Sequence, residues 1–144
     1  SVKMPCSTLD YLPTICEAIG FNYPSERPLD GESLLPMLLG KEQQRKTVIP
    51  FASNIEAPRA AMIKGEFKLC TDLTTATAGD ALYHLHDDAA EANNLLPVRS
   101  ELAGSMKAQL REWVKSCRNS FDGNDYLEPY EPQGRFLMIK DEPK

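Results

Sequence analysis

The stretch that most constrains the fold is Ala60-Ala-Met-Ile63, then Lys64-Gly65, then Glu66-Phe-Lys-Leu-Cys70. Two short β-prone runs around a two-residue turn containing glycine read as an antiparallel hairpin. In the register that a Lys64-Gly65 turn sets, Met62 faces Phe67 and Ala60 faces Leu69, so one side of the hairpin is continuously apolar. Such a face needs a cover. Leu102, Met106, Leu110, Trp113, Val114 and Cys117 recur at helical spacing and predict a long helix, roughly 98–118, whose stripe lies across the strands. Met62, Phe67, Leu69, Leu102, Met106, Leu110 and Trp113 are therefore expected to share one core.

The remaining segments extend this unit. Thr47-Val-Ile-Pro-Phe51 and Ala81-Leu-Tyr-His-Leu85 are two more strand candidates, and Thr71 to Asp80 is a Thr/Ala/Gly loop. Ser7-Thr-Leu-Asp10 has the form of a capping box, followed by Leu9, Leu12, Ile15, Cys16 and Ile19 at helical spacing, which predicts a helix, roughly 8–19. Pro13 requires either a loose first turn with a restart or a kink. Gly31 to Gly40 predicts a short helix with Leu34, Leu35, Leu38 and Leu39 on a buried face. The fold class is α+β: a small antiparallel sheet of about four strands, packed by a long C-terminal helix, with additional N-terminal helices. The N-terminal segments hold more leucine than such a sheet and helix can cover, so one face, together with the tail, is expected to be unusually apolar. Residues 1–126 read as one unit. Residues 127–144 form a Pro/acid-rich tail whose run Phe136-Leu-Met-Ile139 is either an added edge strand or an arm.

Charge and composition exclude several functions. A net charge of −5 over 144 residues lacks the clustered positive field that nucleic-acid or polybasic membrane-surface binding needs. No apolar run approaches the roughly 18 residues of a membrane span, and the opening SVKMPCST lacks the charged and apolar regions of a signal peptide, as if the sequence began inside a longer protein. Cys6, Cys16, Cys70 and Cys117 form no C-x-x-C pair and have no histidine at zinc-finger spacing. They read as free thiols, with three disulfide pairings as the alternative.

Four segments, in order, resemble the C-terminal region of the type I, arylsulfatase-like sulfatases of the alkaline-phosphatase-like superfamily. Asp10-Tyr-Leu-Pro-Thr-Ile-Cys-Glu-Ala-Ile-Gly20 is similar to the D-x-x-P-T-L-x-x-x-x-G helix, and Leu29 to Gly40 to the D-G-x-S-L-x-P-L-L-x-G segment. Ala61 to Leu69 is similar to the A-I-R-x-G-x-W-K-L hairpin, and Leu82 to Leu95 to L-Y-D-L-x-x-D-P-x-E-x-x-N-L. Ile63, His84 and Ala89 depart from the family's usual Arg, Asp and Pro. The resemblance implies a four-stranded sheet and long helix docked on an N-terminal catalytic domain, closing one side of a cleft that binds a sulfated small molecule or glycan. It also implies a parent enzyme that hydrolyses sulfate esters using calcium and a formylglycine made from the Cys or Ser of C/S-x-P/A-x-R, and a periplasmic or secreted location. No Cys or Ser of this chain stands in that motif, so no catalytic residue, metal ligand or cofactor is assigned to the chain, and alone it is expected to be inactive.

Arg59 and Asn54, with Glu56, lie in the loop before the hairpin, which in a sulfatase approaches the cleft; a guanidinium suits sulfate because its planar fork offers two donors. Arg59 and Asn54 are the substrate-binding candidates. His84 and His86, followed by Asp87 and Asp88, read either as a transition-metal pair or as a polar strand face entering a turn, and the pair lacks the further ligands of a closed site. Lys68 matches the family's hairpin lysine but reads as a strand lysine facing water. Asp88, Glu91 and Asn94 belong, by resemblance, to a structural turn and helix cap. Trp113 reads as core, and Tyr126 and Tyr130 as a contact surface or linker. A serine such as Ser53 beside His84 would be needed for any esterase activity of the chain itself. The competing functions are a stand-alone glycan- or protein-binding module without catalysis, and an assembly piece exchanging the tail arm as a strand.

Overall fold

A computed structural model describes residues 4–23, 29–42, 44–53 and 59–124. Its center is an antiparallel sheet in the order β1-β2-β3-β4, with β1 Ile49–Ala52, β2 Arg59–Lys64, β3 Phe67–Asp72 and β4 Ala81–His84. The β2–β3 hairpin is as the sequence predicts, but its register is shifted by two residues. Lys64 pairs with Phe67, Met62 with Leu69 and Ala60 with Thr71, so the loop is Gly65-Glu66 rather than Lys64-Gly65. Gly65 has φ +59 and sits first in the loop, the place that a type II′ turn gives to glycine. A two-residue shift preserves side-chain parity, so the apolar face survives the change.

Helix α3, Ser100–Phe121, lies on that face. It starts and ends later than the stripe alone suggests. Ala60, Met62, Leu69, Leu82, Ala103, Met106 and Leu110 form the buried cluster, and Phe67, Leu102 and Trp113 pack at its margin. The seven expected core residues thus meet between hairpin and helix. Ala103 lies on the same buried stripe of the helix. Trp113 also donates from Nε1 to Asp30 Oδ1 at 3.3 Å, tying the N-terminal layer to the helix.

That layer begins with a 3-10 turn, Thr8–Asp10, leading directly into α1, Tyr11–Ala18. Pro13 is the third residue of α1, where its missing N–H belongs to a first turn that has no intrahelical acceptor anyway. The capping box is present: Leu9 N donates to Ser7 Oγ at 3.3 Å and Ser7 N donates to Asp10 Oδ2 at 2.7 Å. Ser7→Ala is expected to cost about 1 kcal/mol in urea unfolding, the usual worth of a cap. A cost near zero would show that the Asp10 contacts alone hold this turn.

The second helix is shorter than predicted. Only α2, Leu35–Leu38, is helical, and its buried residue is Met37, whereas Leu38 and Leu39 are 64% and 59% exposed. Of the buried face predicted for Leu34, Leu35, Leu38 and Leu39, Leu34 and Leu35 are half-buried, whereas Leu38 and Leu39 point outward. The approach to α2 is fixed by side-chain bonds instead: Leu34 N donates to Thr14 Oγ1 at 2.9 Å, and Thr14 Oγ1 donates to Asp10 O at 2.6 Å. Those bonds orient the single turn with Met37 inward, leaving Leu38 and Leu39 outside.

Candidate functional site

Antiparallel order brings two connections to one end of the sheet. The chain leaves β1 after Ala52 and enters β2 at Arg59, and it leaves β3 at Asp72, the cross-strand partner of Arg59. Arg59 is exposed there, with its backbone carbonyl accepting from Ser53 N and Ser53 Oγ, both at 3.2 Å. Phe51, Ser53, Arg59 and Ala61 help line an open depression of about 330 Å³. A cationic fork beside an exposed ring suits an anionic group carried on an apolar or sugar-like body. Asn54 and Glu56 lie outside the described residues, as do Tyr126, Tyr130 and Phe136 to Ile139.

Asp72 organizes the neighboring loop. Its Oδ1 accepts from Thr74 Oγ1 at 2.6 Å and Thr74 N at 2.9 Å, and these bonds, aided by the charges of Lys107 and Arg59, hold its carboxyl below the ordinary range. Deeper in, Lys107 donates to Asp80 Oδ2 at 2.9 Å, and both side chains are only 5% exposed. Thr71 Oγ1 donates to Asp80 Oδ1 at 2.6 Å.

The opposite end holds an open pocket of about 460 Å³ bordered by Phe67, His84, Asp87, Asp88 and Arg99. The His84 ring packs edge-on to Phe67 at 4.8 Å, and its Nε2 lies 3.2 Å from Glu66 Oε2. His84 Nδ1 is 2.9 Å from Asp87 Oδ2 but without the alignment of a hydrogen bond. His86 Nδ1 is 3.9 Å from Glu66, and the two imidazoles stand 6.4 Å apart, edge to face. Among the described residues no group of three or more His, Cys, Asp or Glu is placed to hold a metal ion. β4 ends at His84, so His86 lies in the following turn and not on the strand as predicted; both histidines sit at a polar edge with Glu66, His84 also near Asp87, and Ser53 lies at the other end of the sheet from His84.

Lys68 does not simply face water. Its Nζ donates to Glu91 Oε1 at 2.6 Å, which raises the lysine above its ordinary value, and Glu91 takes a left-handed backbone (φ +56) to meet it. Only the folded β3 and the turn bring the hairpin lysine and Glu91 together. Asp88 accepts from Ala92 N and Asn93 N, while Asn94 Oδ1 accepts from Leu82 N and Leu96 N. These residues close the expected turn against β4. They do not cap α3, which begins six residues beyond Asn94.

Two buried ion pairs, Asp10–Arg45 and Asp80–Lys107, join residues that no sequence motif pairs. Asp10 is fully buried and accepts from Arg45 NH1 and NH2 at 2.6 and 2.7 Å, as well as from Glu32 N at 3.0 Å. Burial alone would raise its carboxyl, but Arg45 and the Ser7 and Glu32 amides outweigh this and hold it below the ordinary range. Burial pushes the Cys70 and Cys117 thiols upward, and all four cysteines are unpaired. Asp10, Asp72, Asp80 and Asp88 are each committed to an internal cation, hydroxyl or amide.

The N-terminal layer turns an apolar surface outward. Leu9, Leu12, Ile15, Ile19, Leu38 and Leu39 are all exposed, Ile19 by 71%. Single exposed apolar residues need no explanation, whereas large contiguous apolar patches on a soluble protein commonly mark contact surfaces. No described helix is long and apolar enough to cross a membrane.

The fold defines a four-stranded α+β unit, and the proteins it resembles in sequence are sulfatases. The chain is 32% identical over 93 residues to the choline-sulfatase of Rhizobium meliloti, an alignment that covers 63% of the chain and 18% of that protein. It is 28% identical over 121 residues to the Delta 4,5-hexuronate-2-O-sulfatase of Bacteroides thetaiotaomicron, covering 79% of the chain and 24% of the relative. Among solved structures, a 2-O GAG sulfatase is 27% identical with TM-score 0.56, covering 81% of this chain and 26% of the other. Ps i-CgsB, at 19% identity and TM-score 0.66 over 78% of this chain and 25% of its own, shares the fold. The chain thus spans about a fifth to a quarter of the length of these proteins. No family model matches it.

Proposed function

We propose that this chain is the C-terminal subdomain of a sulfatase of the formylglycine-dependent type, packing on a catalytic domain and bordering its substrate cleft. The observation that supports the reading is the similarity to two sulfatases, over 93 and 121 residues. The exposed leucines and isoleucines of α1 and α2 supply the docking face, which a catalytic domain would cover. Arg59, at the end of the sheet, and Asn54 beside it in sequence are the residues offered to the sulfated small molecule or glycan.

In this role the chain binds and orients. The Arg59 fork donates to sulfate or to another anionic group of the substrate, Phe51 presents an apolar wall, and the rigid sheet fixes their spacing. The nucleophile, with the calcium that offsets sulfate charge, belongs to the partner domain. The expected result is that the chain alone does not turn over a chromogenic aryl sulfate, while a longer product including its upstream coding segment does, and that this segment carries C/S-x-P/A-x-R. Turnover by the chain alone, free of full-length enzyme by mass spectrometry, would overturn the reading. So would an open reading frame that starts at Ser1, which leaves a stand-alone binding module.

A further inference from the structure

We propose that Asp72 is a specificity-determining residue of the Arg59 site: its carboxylate accepts a hydrogen bond from a donor, hydroxyl or ammonium, that neighbors the substrate's anionic group, and it turns away a substrate with a second anionic group there. This rests on the sulfatase reading above and narrows the substrate class within it.

The sheet places the two charges side by side. Ala60 and Met62 of β2 and Leu69 of β3 belong to the core under α3, and Thr71 of β3 is buried as well. Strand alternation therefore puts Arg59, Ala61, Cys70 and Asp72 on the other face of the sheet, away from the helix. Arg59 and Asp72 are cross-strand partners, a spacing at which opposite charges commonly close into an ion pair. These two do not close: no Arg59–Asp72 pair stands among the ion pairs of the described residues. Asp72 Oδ1 is turned instead to Thr74, accepting from its N at 2.9 Å and its Oγ1 at 2.6 Å. Those bonds, with the nearby cations, hold the carboxyl below its ordinary range, so it is ionized at neutral pH.

Strand order sets Arg59 of β2 between its two neighbors. The depression with Phe51 and Ser53 lies on the β1 side, and Asp72 stands on the β3 side. The next pair on the same face, Ala61 and Cys70, is small, which leaves room above the strands for a sugar ring that reaches both charges. A fork that donates, beside a carboxylate that accepts, complements an anionic group with a donor on the adjacent carbon. Two adjacent anionic groups are mismatched to it, because the second meets a like charge.

The test is an NMR titration of the chain with three methyl glucosides: one bearing a single sulfate, one with a second sulfate on the neighboring carbon, and one with an amine there instead. The amides of residues 51, 59 and 72 should shift with the monosulfate and the amino sulfate. The disulfate should bind about fivefold more weakly than the monosulfate despite its extra charge, a contrast that shrinks in high salt. Tighter binding of the amino sulfate than of the monosulfate assigns the donor as ammonium, and the reverse assigns it as hydroxyl. Asp72→Asn keeps an acceptor for Thr74 and removes the charge, so in that variant the disulfate should bind at least as well as the monosulfate. Equal or tighter binding of the disulfate by the native chain, or a preference against it that survives Asp72→Asn, overturns the role of Asp72 and leaves the Arg59 reading intact. Arg59→Gln should abolish all three titrations. Binding that persists without Arg59, or no shift with any of the three in the native chain, overturns the site reading and this inference with it.

Discussion

Asp10→Ala is expected to destabilize the chain by about 3–5 kcal/mol, the cost of breaking a buried ion pair from one side. The substitution strands the Arg45 guanidinium, whose side chain is 3% exposed, and removes the acceptor of the Ser7 and Glu32 amides. Three pieces of chain meet at this carboxylate: the 3-10 turn through Ser7 N, the Gly31–Glu32 segment through Glu32 N, and Arg45. Urea unfolding measures the loss, and Asp10→Leu/Arg45→Met should recover much of it because neither partner is then left unpaired. A single-variant loss below about 1 kcal/mol would mean the pair is worth no more than a surface one. The pH dependence has a definite sign. The folded carboxyl is lowered, so its stabilization is complete above the ordinary carboxylate range and disappears as pH falls through the folded value. Asp10→Ala should therefore flatten the acid limb of the stability curve.

Gly31→Ala should be nearly as damaging, at about 3 kcal/mol or more, toward the upper end of overpacking costs. A Cβ at Gly31 would meet Leu9 O at 2.1 Å, Leu9 C at 2.4 Å and Asp10 N at 2.9 Å, all of them backbone atoms that no rotamer change can move aside. Relief requires the Gly31 segment to retreat from the 3-10 turn, which breaks the Glu32 N bond to Asp10 and the Leu34 N bond to Thr14. Gly20→Ala is the comparison. Gly20 has φ +68 and open space around it, so only the left-handed backbone penalty of about 1–2 kcal/mol applies. Equal melting temperatures for the two variants would contradict the close approach.

The hairpin, the long helix and their shared core were legible because each depends on a periodic pattern that one element carries alone. Met106 and Leu110 fall on a helical stripe, and Met62 and Leu69 on one strand face, whichever of two registers the turn adopts. Arg59 was legible as a candidate from its place before the hairpin and its charge. Its partner Asp72 was not, because their juxtaposition follows from the cross-strand register. Lys107 illustrates the limit: on the helical wheel it is one charged residue near an apolar stripe, and nothing local announces the Asp80 carboxylate and the loop carbonyls that surround it.

The sequence by itself determined the α+β class, the sheet-covering helix and the resemblance to sulfatases, since short-range periodicity and ordered motifs survive without coordinates in space. Tertiary structure alone decided which polar groups became structural. Asp10 meets Arg45 across 35 residues and Asp80 meets Lys107 across 27, and no spacing rule foresees either pair. It also decided that Leu38 and Leu39 point outward, because the Thr14 and Asp10 bonds orient a helix too short for its own amphipathic pattern to govern. A single turn buries too little to choose its own face, so the hydrogen bonds at its entrance choose for it.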